Sequence, residues 1–207
     1  MTEPLFDHDA LIYREMMTHI PLFAHRNPQK IAILDENQRG LSEEVLKHPT
    51  VATVWQAETP HAILTDPRIS YFANSINEFL LRKEGKDSLD VLIIGSVTKP
   101  DFNHCFESLH KDGLFIQLCE STFDLLALKN IQQQLKATGF ADILPLNFPQ
   151  PNFTSGWRAA ILASKEGTVK RPREKDIFNK TFSTSYYNLD MHRAAFALPE
   201  FMREKLA

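Results

Sequence analysis

The chain alternates short apolar runs with stretches in which apolar residues recur every three or four positions. Short apolar runs are typical of buried strands, and the longer period is typical of amphipathic helices. The strands predicted in this way are residues 31–34, 69–72, 91–94, 114–118, 143–146 and 157–163, with a further strand that ends on Glu58. The predicted helices are residues 11–24, 40–47, 76–83, 103–110 and 122–138, and one or two more within residues 186–206.

The order of these elements predicts an α/β fold. Strands alternate with helices along most of the chain, which is the arrangement of a mainly parallel sheet. Residues 143–146 and 157–163 flank a proline-rich loop and are predicted to pair antiparallel. We therefore expect a single Rossmann-like domain over residues 1–207, with an S-adenosylmethionine-methyltransferase-type sheet and a C-terminal antiparallel strand pair.

Several connections can also be predicted. Ser121 or Thr122 is expected to cap the N-terminus of the long helix that ends at Gly139. Asp112 and Gly113 are expected to form a turn. Residues 166–175 are basic and polar, which favours an exposed loop, with a nucleic-acid-binding patch as the weaker alternative because aromatic residues are not interleaved.

Composition excludes several classes of protein. A net charge of −3 creates no strong positive electrostatic field that would attract nucleic acid or an anionic membrane. The two cysteines lie far apart, and the histidines form no metal-binding motif, so neither a disulfide framework nor a metal site is predicted. The chain shows no secretory leader and no long apolar span, which predicts a cytoplasmic protein that is not in the membrane.

Residues 30–58 form the most informative stretch, because strand, turn, helix and strand follow one another as in the opening unit of a nucleotide-binding domain. The turn, residues 35–40, contains one glycine and several long or charged side chains, although such a turn normally needs glycines for close approach of the ligand. Glu58 ends the second strand, about 20 residues after the turn, where an acid accepts hydrogen bonds from ribose hydroxyls. The sequence therefore predicts the backbone framework of a cofactor site, but side chains of the turn are expected to occupy the space where the cofactor would bind.

Five stretches together resemble the spermidine synthase (polyamine aminopropyltransferase) family. They are residues 11–25 (LIYREMMTHIPLFAH), 43–49 (EEVLKHP), 66–68 (DPR), 154–156 with their flanks, and 186–201 (YYNLDMHRAAFALPEF). The resemblance covers almost the whole chain from about residue 9. It implies transfer of an aminopropyl group from decarboxylated S-adenosylmethionine to putrescine, which gives spermidine and methylthioadenosine.

The resemblance also implies which residues would bind the substrates. Glu58 matches the ribose-binding acid of the family, and Asn74 stands where an acid recognises the adenine amino group. Gln38 replaces the acid that holds the substrate amine. Tyr13 is retained as a substrate-binding residue, and Phe153 replaces the tyrosine of the substrate loop.

The same resemblance predicts a degraded site. Gly95 stands where the family places its catalytic aspartate, so no catalytic residue is assigned. Leu118 replaces a glutamine, Thr98 replaces a second acid or that acid is lost, and the loop of residues 96–102 is shortened. Arg14 adds a positive charge to a pocket that, in the family, binds positively charged substrates. The N-terminal β-domain usual in the family is expected to be absent.

Three hypotheses about function follow. The first is a spermidine-synthase-like protein with a weak or inactive site, that is, a pseudoenzyme that can still bind a nucleoside such as methylthioadenosine or a polyamine. The second is a working, divergent aminopropyltransferase. For this, Asp35 or Glu36 would attract the substrate amine, and Asp101 or Glu120 would have to replace the missing acid. The third is a non-catalytic homologue that binds a partner protein or forms a homo-oligomer. An ordinary S-adenosylmethionine methyltransferase ranks last, because the turn is poor in glycine.

Overall fold

The computed structural model describes residues 5–34, 40–57, 65–72, 80, 86–96, 100–169 and 172–206. The strands within these ranges are β1 (Lys30–Leu34), β2 (Thr53–Ala57), β3 (Ile69–Phe72), β4 (Leu89–Ile94), β5 (Leu109–Ser121), β6 (Asp142–Pro149) and β7 (Trp157–Ser164). The helices are α1 (Leu5–Ala24), α2 (Leu41–Leu46), α3 (Phe102–Ser108), α4 (Leu125–Thr138), α5 (Glu174–Phe178), α6 (Leu189–Ala195) and α7 (Glu200–Leu206).

The strands form one sheet in the order β3-β2-β1-β4-β5-β7-β6. Strands β1 to β5 run parallel, and β7 lies antiparallel to both β5 and β6. The predicted α/β fold with a C-terminal antiparallel pair is therefore confirmed. Strand β3 lies at one edge of the sheet.

The core has two layers because side chains alternate across the sheet. Ile31 and Ile33 of β1 face α1 and α2 in one apolar cluster, and Ala32 and Leu34 face the other side. Every residue of β4 is buried, as expected for a central parallel strand covered by helices on both faces.

Strand β5 is longer than its apolar pattern predicts, since it continues through the expected turn at Asp112 and Gly113. Leu89 pairs with Leu109 whereas Val91 pairs with Leu114, so the extra residues form an irregularity in β5. A β-carbon on Gly113 would lie 2.9 Å from the carbonyl oxygen of His110, which explains the glycine. The predicted turn is wrong, and its residues belong to this bulge.

The N-terminal end of the long helix before Gly139 also differs from prediction. Helix α4 begins at Leu125, and Asp124 is its N-cap, with a carboxylate that accepts from the N–H of Ala127 at 3.0 Å. Ser121 and Thr122 do not cap it because β5 runs on to Ser121, which pairs with Arg158 of β7. The predicted end of this helix is confirmed, since Gly139 has a φ of 117°.

In the described part of residues 166–175, residues 166–168, 174 and 175 are exposed, as predicted for a loop. Val169 is fully buried, and Arg173 turns its guanidinium toward the end of α1. That side chain is therefore engaged within the fold, whereas Lys170 and Arg171 of the same stretch lie outside the described residues. The predicted helix of residues 76–83 lies outside the described residues except for Leu80, and so does most of the connection after β2. None of the described helices is long and apolar enough to cross a membrane.

Candidate active site

The carboxyl ends of β1, β4 and β5 meet at one edge of the sheet, where open parallel sheets bind their ligands. The register places Leu34 beside Ile94, and Ile94 beside Gln117. Gly95 follows β4 at this edge and donates its N–H to the carbonyl of Leu34 at 3.2 Å. Gly95, which the sequence resemblance predicts to stand in place of the catalytic acid, thus lies at the centre of the edge and supplies no carboxylate.

Tyr13 reaches this edge from α1. Its side chain is fully buried, and its hydroxyl donates to the carbonyl oxygen of Gly95 at 2.9 Å. The single hydroxyl proton of Tyr13 is therefore already donated to the main chain. The structure places Tyr13 at the predicted location but in the core, and its role in substrate binding stays a prediction.

Arg14 brings a positive charge to the turn that follows β1. Gly40, the last residue of that turn, has a φ of 69°, and a β-carbon there would lie 2.8 Å from Nε of Arg14. The guanidinium therefore packs directly on the glycine backbone. Within the described residues, no carboxylate forms an ion pair with it.

Phe153 is also at this end of the molecule, in the loop between β6 and β7. The guanidinium carbon of Arg158 lies 4.6 Å from the centroid of the Phe153 ring, within the range of a cation–π interaction. Arg158 is mostly buried and lies 3.6 Å from a carboxylate oxygen of Glu120. One face of the predicted substrate-binding ring is thus covered by a cation of the protein itself, a contact that sequence patterns do not reveal.

The two acids considered as replacements at this edge have other partners. Asp101 is the N-cap of α3 and accepts from the N–H groups of Asn103 at 2.9 Å and His104 at 3.4 Å. Glu120 faces Arg158. Neither carboxylate is therefore brought to Gly95 as a free base in the described structure.

Glu15 connects the two longest stretches of the family resemblance. Its carboxylate is buried and accepts hydrogen bonds from the main-chain N–H groups of Ser185 at 2.8 Å, Tyr186 at 2.9 Å and Tyr187 at 2.7 Å. Tyr187 in turn is hydrogen-bonded to Nδ1 of His192 at 2.8 Å, and burial lowers the pKa of that histidine to about 4. These residues hold α1 against the C-terminal segment and do not line the edge.

A second buried polar cluster joins α1 to α2. His19 lies between Nε2 of His48 at 2.9 Å and a carboxylate oxygen of Glu44 at 3.1 Å. Burial lowers the pKa of His48 to about 2 and also lowers the pKa of His19. Phe23, Phe182 and Tyr187 surround the pair of rings. Neutral, enclosed imidazoles of this kind serve the packing of the core.

Gln38, Glu58 and Asn74, the residues predicted to bind the nucleoside, lie outside the described residues, as does Thr98. Their assignments stay predictions. Among the residues that the structure describes, no group of histidine, cysteine, aspartate or glutamate side chains could hold a metal ion.

Comparison with known proteins identifies the family. Residues 10–79 match the model of the spermine/spermidine synthase domain. The polyamine aminopropyltransferase of Thioalkalivibrio sulfidiphilus is 33% identical over 98% of this chain and 80% of its own length. That of Alkalilimnicola ehrlichii is 33% identical over 96% of this chain and 78% of its own length.

Solved structures agree with these sequence relatives. The spermidine synthase from Thermotoga maritima superposes with a TM-score of 0.84 at 26% identity, over 95% of this chain and 74% of its own. A spermidine synthase in complex with the transition state analogue AdoDATO gives the same TM-score and identity. These relatives agree with the observed sheet order and with the contacts between α1 and the C-terminal motif. The chain therefore belongs to the spermidine synthase (polyamine aminopropyltransferase) family.

Proposed function

We propose that this chain keeps the family's fold but has lost its aminopropyl-transfer activity. The observation that carries the proposal is that no free carboxylate reaches Gly95 in the described part of the carboxyl edge. An amine that attacks the carbon next to a sulfonium has to lose a proton, and a positioned acid or base contributes about 10²–10⁴ in rate. Gly95 cannot supply that group.

The charges around the edge support the same proposal. The substrates of the family reaction are cations, and carboxylates would hold their ammonium groups. Here Arg158 lies on the Phe153 ring and Arg14 packs on Gly40. The guanidinium of Arg14, which forms no ion pair with a described carboxylate, repels an incoming ammonium group, because like charges at close range raise the free energy of the complex. The edge therefore disfavours binding of the diamine as well as its reaction.

The nucleoside half of the site is a separate part of the proposal. If decarboxylated S-adenosylmethionine or methylthioadenosine binds, we assign Glu58 to the ribose, with Gln38 and Asn74 along the rest of the ligand. Support comes from the position of Glu58 directly after β2, whose carboxyl end lies at the same edge as those of β1 and β4. The bound analogue AdoDATO of the solved relative supports a ligand of this chemical type in the family.

The alternative of a working transferase is favoured by the extent of the similarity, since a named polyamine aminopropyltransferase aligns over 98% of this chain. A turnover assay separates the two functions. Purified protein, decarboxylated S-adenosylmethionine and putrescine are incubated, and methylthioadenosine is measured by chromatography. The Thioalkalivibrio sulfidiphilus relative, assayed in parallel, is the positive control.

We expect a rate at least about 100-fold below that of the control, as loss of the acid requires. A rate within about 100-fold of the control would overturn the proposal and favour a working enzyme. Calorimetric titration with methylthioadenosine then distinguishes the cause. Binding without turnover means that the nucleoside half survives, whereas no heat means that the turn after β1 excludes the ligand.

A further inference from the structure

A cavity of about 190 Å³ lies beside the C-terminal end of α1. Phe23 and Phe182 form apolar parts of its wall, and its polar parts include His48, Thr50 and residues 179–181. Since Phe23 precedes β1 and Thr50 precedes β2, the cavity lies toward the amino ends of these two strands. The candidate active site is at their carboxyl ends, so the two sites are separate.

The hydrogen bonds of the buried histidine pair determine which nitrogen of His48 carries the proton. Burial lowers the pKa of both rings, so both are neutral at pH 7. The Glu44 carboxylate can only accept, so His19 donates its Nε2–H to it at 3.1 Å. Nδ1 of His19 then has a lone pair, which accepts from Nε2–H of His48 at 2.9 Å. Nδ1 of His48 is therefore left with a lone pair and no proton.

This lone pair is available to a ligand in the cavity. His48 is only 2% exposed, and it lines the cavity. Its Nδ1 has no hydrogen-bond partner in the described structure, and the atom is not closed off from solvent, so the small exposed part of the residue includes it. A nearly buried acceptor without a partner favours a ligand that brings a hydrogen-bond donor.

Lys180 gives the cavity its charge. The side chain is partly buried and forms no ion pair or hydrogen bond in the described structure. Arg173 lines the cavity as well, but its guanidinium is already bound to two main-chain carbonyls at the end of α1 and to the carboxylate of Asp176. The uncompensated charge is therefore the ammonium group of Lys180, which favours an anion.

Neutral donors complete the polar part of the wall. Thr50, Asn179 and Thr181 line the cavity, and their side chains form no hydrogen bond in the described structure. Hydroxyl and amide groups donate readily to the oxygens of an anion. The cavity thus offers several donors and one acceptor, which suits an oxyanion that retains a proton of its own.

We infer that this cavity binds hydrogen phosphate, whose P–OH group donates to Nδ1 of His48 while its charged oxygens lie near Lys180. A cavity of about 150 Å³ accepts benzene, so the volume here is sufficient for an anion of this size. Sulfate has no proton to donate, and its oxygens would face the lone pair of His48. The inference does not depend on whether aminopropyl transfer survives.

The test compares three anions of the same charge. At pH 7.5, hydrogen phosphate, sulfate and methyl phosphate are mainly dianions, and only the first retains a proton. Each is titrated calorimetrically into the unmodified protein at constant ionic strength. We expect saturable binding of phosphate with a Kd of about 1 mM or lower, and binding of the other two at least about tenfold weaker.

Two results would overturn the inference. One is the lack of saturable phosphate binding up to about 20 mM. The other is an affinity for sulfate equal to that for phosphate, because a site that recognises charge alone does not distinguish these dianions. Methyl phosphate bound as tightly as phosphate would replace the free anion by a phosphate monoester and would exclude the P–OH contact.

Lys180→Gln tests the charge. We expect the affinity for phosphate to fall about 3- to 10-fold, because a charge-assisted contact is lost. Lys136→Gln is the matched control, since Lys136 is exposed on α4 and does not line the cavity. It should bind phosphate as the unmodified protein does. Equal affinities of the two variants would contradict the position of the anion beside Lys180.

His48→Gln tests the acceptor. The glutamine amide can still donate from near the position of Nε2, whereas the acceptor at Nδ1 is lost. We expect the affinity for phosphate to fall at least about threefold while that for sulfate does not fall, because only phosphate loses a hydrogen bond. An unchanged preference for phosphate would exclude His48 as the acceptor. If this variant does not fold, the comparison of the three anions with the unmodified protein still decides the inference.

Discussion

At the scale of single residues, Glu15 shows how a functional motif can serve the fold. Its position directly after Tyr13 and Arg14 is compatible with a pocket, although the apolar spacing of this helix favours packing in the core. In the structure, its carboxylate accepts hydrogen bonds from the three main-chain N–H groups of residues 185–187. Hydrogen bonds to a buried charge are stronger than those between neutral groups, so this carboxylate is expected to contribute more than an average polar contact.

Replacing Glu15 tests that role. In Glu15→Gln, an amide NH₂ faces N–H donors and leaves at least one of them without an acceptor. We expect the free energy of unfolding to fall by about 2–4 kcal/mol, measured by urea denaturation. Glu204→Gln, at an exposed position of α7, should change it by less than about 0.5 kcal/mol. A loss no larger than that of the control would show that the three contacts are unimportant for stability.

Residue identities therefore predict the site only in part. The lack of an acid at Gly95 can be predicted from the resemblance, because it depends on identity alone. The contact of Arg158 with Phe153 could not be predicted, since it depends on the pairing of β7 with β5 and on the path of the loop before it. Tyr13 could be assigned to the edge, but whether its hydroxyl faces a ligand or the main chain is decided by packing.

At the scale of elements, the C-terminal end of α1 is stabilised from a distant part of the chain. The last turn of this helix contains no basic residue. Arg173 supplies the charge, because its guanidinium donates to the carbonyls of Leu22 at 3.0 Å and His25 at 2.8 Å, and its main-chain N–H donates to Phe23 at 2.9 Å. The last carbonyl groups of a helix lack hydrogen-bond partners within the helix, so these donors satisfy them. A cation at this end also interacts favourably with the helix dipole.

Removal of this cap should be measurable. In Arg173→Met, the aliphatic part of the side chain remains while two donated hydrogen bonds and the charge are lost. We expect destabilisation of about 2 kcal/mol in chemical denaturation. Arg193→Met is the control, because Arg193 forms an exposed ion pair with Glu174, a type of contact that contributes at most about 1 kcal/mol. If both variants lose the same free energy, the contact of Arg173 with α1 does not act as a cap.

Most elements could be predicted from periodicity, whereas their ends often could not. Strand β4 was predicted over its apolar residues 91–94, while its first two residues, Leu89 and Asp90, fell outside the apolar run. The ends of β5 depend on partners that are distant in the sequence, since Leu109 pairs with β4 and Ser121 with β7. A local pattern contains no information about those partners, so Asp112 and Gly113 resembled a turn.

At the scale of the whole molecule, buried histidines couple stability to pH. Burial lowers the pKa of His48 to about 2 and that of His192 to about 4, and it also lowers the pKa of His19, all from an ordinary 6.5. Below pH 6.5 the unfolded chain therefore binds protons that the folded chain excludes. Stability is greatest above pH 6.5 and falls as the pH is lowered from there toward the folded-state values.

A titration of stability tests this coupling. The free energy of unfolding should decrease between pH 7 and pH 5, and each excluded proton contributes about 1.4 kcal/mol per pH unit. In His48→Gln, which cannot titrate, the decrease over this range should be smaller by about 2 kcal/mol. Gln133→Asn, which changes no titratable group at an exposed position of α4, should leave the decrease unchanged. Identical pH dependence in the His48 variant and the unmodified protein would exclude His48 as a contributor.

The hydrogen bonds of Glu15 also bear on synthesis of the chain. Their acceptor is in the first helix and their donors follow 170–172 positions later. Translation at roughly 5–20 residues per second separates the two by about 10–30 s. During that interval α1 is outside the ribosome without the segment that covers it, and its buried carboxylate remains in water beside an apolar face. The contacts that close this part of the core can therefore form only once residues 185–187 have emerged.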